Sequence, residues 1–374
     1  MLSIWERNSL IQYDHIVLGS GIVGLSTAYY LRERFPKHRI LILERGLLPS
    51  GASTKNAGFA CMGSLSELLD DRNRNSVDEI CELFALRRNG LQRLQSILGP
   101  AAMGYQANGS YELLNTLDLH VLDQMDFWNQ QLRSITGTEV FKNVSHRISE
   151  FGFKQVDALI ENCCEGSIDT GRMMHHFIQL LGQQGVEFKT GCEVLGLEEA
   201  GNQIAVSCRN PLPGSNLELY AAHVYICTNA FAASWLDDEI IQPGRGQVLI
   251  THPIPQLKWK GIFHLDKGYY YFREYQGRIL LGGGRNKDML TETTTELALN
   301  ELLQEGLDQL LQTCILPDIP YTVDLRWSGI MAFGPDKRPI VKSISPRMHA
   351  GVRMGGMGVA IGSEIGFQLA QCSQ

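Results

Sequence analysis

The sequence predicts a mixed α/β (α+β) fold in two lobes: a Rossmann-like lobe assembled from discontinuous segments, and a smaller lobe built on an antiparallel sheet. Three observations predict it. Near the N-terminus an apolar strand at 16–18 runs through Gly19-x-Gly21-x-x-Gly24 into a helical stretch at 25–34, and a second apolar strand at 40–43 ends on Glu44. Between about 239 and 327, short β-forming runs at 246–250, 269–273 and 278–281 alternate with turns. Near the C-terminus a second glycine turn, Gly355-Gly356-Met357-Gly358, leads into an apolar helical segment at 361–369.

Each part of the first unit has a physical reason. Gly19 permits a tight turn, Gly21 lets backbone approach a pyrophosphate, and Gly24 lets helix and strand pack closely. The helix N-terminus stabilises phosphate charge. Glu44, twenty residues after Gly24, stands where a carboxylate binds ribose hydroxyls, and its charge disfavours a 2′-phosphate there. Dinucleotide binding is the expectation. A run of small residues from Gly51 to Ala60 follows the acid and leaves room for a further cofactor contact. A nicotinamide-dependent dehydrogenase, the fold-level alternative, would continue here into further β-α-β units. This chain instead turns to amphipathic helical text at 76–98 and 117–136.

The remaining elements read in order. A helix is expected at 170–184, strand pairs around 187–197 and 204–208, and a strand-to-turn segment at 224–230. Residues 293–312 have a helical pattern that should cover the outer face of the second sheet. The first lobe is expected to comprise 1–70, 155–238 and 328–374; the second, 71–154 and 239–327.

Composition narrows the function classes. The 374 residues are 44% hydrophobic and 20% charged, ordinary values for a globular protein. No apolar run approaches the roughly 20 residues of a membrane span. The first twelve residues lack a signal peptide's apolar core, so a cytoplasmic location is expected. The nine cysteines show no metal-ligand spacing, and no metal is expected. His175 and His176 adjoin on a helix, where neighbours point about 100° apart and make a poor ligand pair. A formal charge of −7 argues against a general nucleic-acid surface.

The two glycine turns and the small-residue run, taken with Val224-Tyr225-Ile226-Cys227-Thr228-Asn229-Ala230, Tyr269-Tyr270-Tyr271-Phe272-Arg273 and Trp327-Ser328-Gly329-Ile330-Met331-Ala332-Phe333-Gly334-Pro335-Asp336, resemble the D-amino acid oxidase and glycine oxidase family of FAD-dependent oxidoreductases. The resemblance spans about 360 residues. It implies non-covalent FAD in the first lobe and a substrate pocket walled by the second. For the cofactor it implies Gly19, Gly21, Ile22, Val23 and Gly24 at the phosphates, Glu44 and Arg45 at the ribose, and Ser53 and Thr54 beside them. Ala57, Gly58 and Phe59 should lie near the ring, Val194 at the adenine side, and Gly355, Gly356, Met357 and Gly358 at the pyrimidine edge.

A flavin accepts hydride without an obligatory protein base, so substrate-orienting groups are the target. Alignment of the Gly277-Arg278 turn places Tyr270 at a substrate-contacting tyrosine, with Tyr269 and Tyr271 on the opposite strand face. Arg285 follows a strand lining the same pocket, where it could clamp a carboxylate in bidentate fashion. Met331 stands near the position of the family's carboxylate-binding arginine and of the cysteine that tethers flavin in sarcosine oxidases. Arg326, five residues earlier, should face the other way. The resemblance thus implies oxidation of a C–N bond of a small amine or amino acid, with oxygen or another electron acceptor and hydrolysis of the imine. The alternatives are a tRNA-modifying flavoprotein acting on an aminomethyl group, and a non-catalytic FAD-binding protein.

Overall fold

The computed structural model describes residues 2–209, 216–255, 257 and 259–373. The apolar text near the N-terminus forms the centre of an eight-stranded sheet. Strand Gln12–Leu18 pairs in parallel with Ile40–Leu43 on one side and Leu217–Ile226 on the other, in the register Leu18↔Leu43 and Leu18↔Ile226. Glu187–Lys189 extends the parallel sheet at one side and Met348–Val352 at the other, and Ile340–Ser343 closes the latter edge antiparallel. Strands buried on both faces read as continuous apolar runs, and Ile16, Val17, Leu18, Leu41 and Ile42 are all essentially inaccessible.

Helices Ile22–Arg34, Thr170–Gln183 and Gly358–Ala370 share one core with this sheet. The first packs so closely that a Cβ on Gly24 would lie 2.0 Å from the Gly19 carbonyl oxygen. The long helix Val77–Leu98 begins at Ser76, whose hydroxyl accepts from the Glu79 amide while Glu79 caps in return.

The second sheet also has eight strands, in the order Val323–Phe333, Gln242–Thr251, Arg278–Gly283, Tyr270–Tyr275, Ile262–Leu265, Ser110–Leu114, Ala158–Asn162, Phe141–Asn143. All pairings are antiparallel except Ile262–Leu265 with Ser110–Leu114. Helix Glu301–Leu310 packs outside it, burying Leu307 against Leu249 and Leu281.

Several elements differ from expectation. Residues 116–124 form a 3-10 helix, because Asn115 Oδ1 accepts from the Leu117 amide and starts a tight turn; the α-helix begins only at Met125. The helix expected from 293 starts at its cap, Asn300. Three consecutive threonines, 293–295, resist helix formation, and the adjacent Glu292 carboxylate is drawn inward by Arg245. Strand Ala158–Asn162, from a segment given to the first lobe, pairs within the second sheet, and Val323–Phe333 straddles position 328. None of the described helices is long and apolar enough to cross a membrane.

Candidate active site

A cleft of about 1060 Å³ opens at the C-terminal ends of the parallel strands and runs beneath the second sheet. Its lining includes Leu18, Leu43, Cys227 and Met354, at or just beyond those strand ends. Ligands of open parallel sheets bind at this end, where helices begin.

At the first turn, Gly21 caps helix Ile22–Arg34 without a side chain, so its leading amides face the cleft. Ser53 Oγ accepts from the Ile22 amide at 3.0 Å, which brings the small-residue run over the helix N-terminus. Glu44 sits below them: one carboxylate oxygen accepts from the Ser20 amide and hydroxyl, the other from the Gly46 amide at 2.9 Å. Arg45 stacks on Phe231 at 4.1 Å, and Val194 lines the same end. A helix N-terminus facing the cleft, a fixed carboxylate and a cleft of this size fit a dinucleotide, pyrophosphate on the helix and ribose at the acid.

Gly19, Gly21, Ile22, Val23, Glu44, Arg45, Ser53, Ala57, Phe59, Val194, Gly355, Gly356, Met357 and Gly358 all line this one cleft. Gly24 lies behind it as a packing residue. Two expected cofactor residues point elsewhere. The Thr54 hydroxyl faces outward and donates to the Pro49 carbonyl at 2.6 Å, because the residue sits on the solvent side of helix Ala52–Lys55. Gly58 packs against the second lobe, where a Cβ would lie 2.5 Å from both Arg273 Nη1 and the Ile168 carbonyl.

The end of the cleft beneath the second sheet is walled by Tyr269, Tyr271, His264, Arg285, Met331 and Phe333. Tyr270 is not in this wall: its ring packs into the core beneath the sheet with Phe272 and Leu281. Strand alternation separates Tyr270 from its neighbours as expected, but the cleft face is the one bearing Tyr271. Gly282, opposite Tyr271, leaves room for that ring; a Cβ there would lie 2.6 Å from it. Burial pushes the Tyr271 phenol up to about 12.

Arg285 lies across Phe333 at 4.4 Å. Among the described residues its guanidinium has no ion-pair partner, and Nε is buried without a hydrogen bond. Burial lowers its pKa below the ordinary arginine value. Met331 reaches between Gly246 and Gly356, linking sheet and glycine turn. Arg326 is turned away, donating to both oxygens of Asp308 at 2.8 Å, as its offset predicts.

Sequence reasoning missed His264, Tyr271 and the charged group behind them. Lys337 bridges Glu67 at 2.7 Å and Asp71 at 2.8 Å, and Arg87 Nη1 lies 3.7 Å from Glu67. Burial works to raise Glu67, but Lys337 and Arg87 outweigh it and hold the carboxyl below its ordinary value. Arg353 also escaped notice. It takes φ 65° and donates to Asp336 and the Arg338 carbonyl, setting the backbone that leads into the second glycine turn. The one sequence signal for His264 is a polar residue within the apolar strand Ile262–Leu265.

Comparison with known proteins agrees with this geometry. The family described as FAD dependent oxidoreductase (DAO) matches residues 14–372. The hydrogen cyanide synthase subunit HcnC of Pseudomonas protegens is 22% identical, over 88% of this chain and 84% of its own length. The glycine oxidase of Bacillus cereus superposes with a TM-score of 0.77 at 16% identity, covering 96% of this chain and 94% of that one. The L-proline dehydrogenase of P. horikoshii gives 0.76 at 16% identity, covering 96% and 93%. The two-lobed fold, the dinucleotide cleft and a family match over nearly the whole chain place this protein in the DAO family of FAD-dependent oxidoreductases.

Proposed function

We propose that this enzyme oxidises the C–N bond of a small amine that carries a carboxylate, a glycine-, sarcosine- or proline-like substrate. The observation that carries this reading is Arg285: a half-buried guanidinium on the cleft wall, stacked on Phe333 and lacking a carboxylate partner among the described residues. A desolvated cation of this kind is costly alone and binds a planar carboxylate well. Met331 stands near the position that the family resemblance gives to a carboxylate-binding arginine, and Arg285, just past strand Arg278–Gly283, takes that part in this reading. Glycine and proline in the names of the structural neighbours are compatible with such a substrate.

FAD, when bound, supplies the hydride acceptor. The chain's own residues hold and orient. Ser53 and the amides from Ile22 meet the phosphates, Glu44 the ribose, and the turn from Gly355 to Gly358 the ring edge. Arg285 fixes the substrate's carboxylate end. Tyr271, Phe59 and Met331 form an apolar wall that keeps water from the carbon being oxidised. The test is anaerobic mixing of the purified flavoprotein with glycine, sarcosine, D-alanine and proline alongside amines lacking the carboxylate. Bleaching by the carboxylated members is expected. Bleaching by the decarboxylated amines alone would overturn the substrate class.

A further inference from the structure

Oxidising an amine requires somewhere to put a proton. At neutral pH an aliphatic amine is an ammonium ion, and its lone pair is unavailable until an N–H bond breaks. Among the described residues, the carboxylates lining the cleft are already engaged: Glu44 by Ser20 and Gly46, Glu67 and Asp71 by Lys337, Asp70 by Lys267, Glu193 by Arg209, Asp336 by Arg353. Lysine and arginine side chains only donate. Burial pushes up the Tyr271 phenol and the Cys61 and Cys227 thiols. Cys192 lies at the ribose end, its amide on the Glu44 carbonyl. Tyr269 is 40% exposed. His264 is the one imidazole in the lining.

Its setting is built for the task. His264 is buried, its ring centroid 5.3 Å from that of Phe59 in an edge-on arrangement, and the Phe59 centroid in turn lies 5.5 Å from that of Tyr271. Nε2 faces Glu165 Oε2 at 3.7 Å. Glu165 is held rigidly: it accepts from the Met62 and Gly63 amides at 2.6 and 2.9 Å and from Ser110 Oγ at 2.6 Å. Glu112 faces His264 from the paired strand, and Glu67 from helix Leu65–Asp71, with Lys337 and Arg87 offsetting Glu67. Burial alone would lower the imidazole's pKa, but Glu165, Glu112 and Glu67 outweigh it and raise it above the ordinary value. A proton acceptor works best when it titrates near the working pH.

We infer that His264 takes the proton from the substrate's ammonium group, with Glu165 stabilising the imidazolium that forms. The inference rests on the amine-oxidation reading above. In this step one substrate N–H bond breaks, one imidazole N–H bond forms, the electron pair stays on the amine nitrogen, and nothing is oxidised.

The experiment is anaerobic stopped-flow reduction of the FAD holoenzyme and its His264→Asn variant between about pH 6 and pH 10. At pH 7 the variant should lose on the order of 10²-fold or more in rate. It should recover towards wild type near pH 10, where the amine sheds its proton unaided. An equal loss at every pH, or an unchanged profile, overturns the inference while leaving amine oxidation standing. If no amine reduces the wild-type flavin, the underlying reading fails and takes this one with it. NMR of imidazole-labelled enzyme supplies a readout without substrate: the signal missing in His264→Asn should titrate above pH 6.5, and titration below that value overturns the assignment.

Discussion

Replacing Arg285 by methionine tests the proposed carboxylate contact, because methionine keeps an aliphatic stem and removes the guanidinium that lies over Phe333. The guanidinium is half-buried, rests 4.4 Å from the Phe333 centroid, and occupies space kept open by Gly244, whose Cβ would lie 2.9 Å from Cζ. A charge-assisted hydrogen bond contributes about 1.5–3 kcal/mol. A bidentate pair, after solvent screening at a half-buried site, should then be worth about 3–4 kcal/mol in all. At 1.4 kcal/mol per tenfold, this predicts a Kd for carboxylated amines weakened about 10²–10³-fold. The assay is anaerobic rapid mixing, which separates substrate Kd from the limiting rate of flavin reduction. The limiting rate should stay within about tenfold, since the contact removed binds ground state and transition state alike. FAD content should be unchanged, and the free variant at least as stable, since a buried unpaired cation has gone. An unchanged Kd for the carboxylated substrate, or an equal loss for its decarboxylated counterpart, would refute the reasoning.

Two further outcomes test the scaffold. Gly24→Ala should abolish FAD retention and cost about 3 kcal/mol or more, since its Cβ would meet the Gly19 carbonyl at 2.0 Å; absorbance of the purified variant and a urea midpoint check both. Acid should weaken the protein through the histidine stack beneath the parallel sheet, where His15 Nε2 and His38 Nδ1 share a hydrogen bond at 2.9 Å and His223 stacks between His15 and His349. Burial, then neighbouring histidines, lowers His15 to about 3 and His349 to about 4. Both lie below the unfolded value near 6.5, so the unfolded chain binds the extra protons. Stability is therefore full above about pH 6.5 and falls with pH until the folded values are reached. At pH 5 the loss is about 2 kcal/mol per histidine, and a His15→Asn/His349→Asn variant should flatten that slope in urea titrations at pH 7 and 5.

The cofactor half of the site was legible because its constraints are local. Gly19, Gly21, Gly24 and Glu44 lie within 26 residues, and each spacing follows from the turn, the helix start or the strand end it serves. The substrate half was harder. Alternation shows that Tyr270 and Tyr271 face opposite ways but not which face is inward; Gly282 and the core beneath the sheet decide that. In the proposed role His264 depends on Glu165 and Glu112, about 100 and 150 residues away; Glu112 meets it through strand pairing and Glu165 from the turn after strand Ala158–Asn162. The segment before Asn300 follows Glu292, pulled inward by Arg245, Gln247 and Asn300, against the helical pattern of its own residues. Thr54 illustrates the reverse case: most of the small-residue run lines the cleft, but one turn of helix points that hydroxyl at the Pro49 carbonyl.

The most direct measurement is a single anaerobic turnover: purified flavoprotein mixed with a slight excess of a carboxylated amine, absorbance followed to completion, and the quenched mixture assayed for carbonyl product. Loss of the oxidised flavin bands with one carbonyl formed per FAD is the predicted result. Bands that persist with every amine, or bleach with no carbonyl formed, would contradict oxidation of a C–N bond in this cleft.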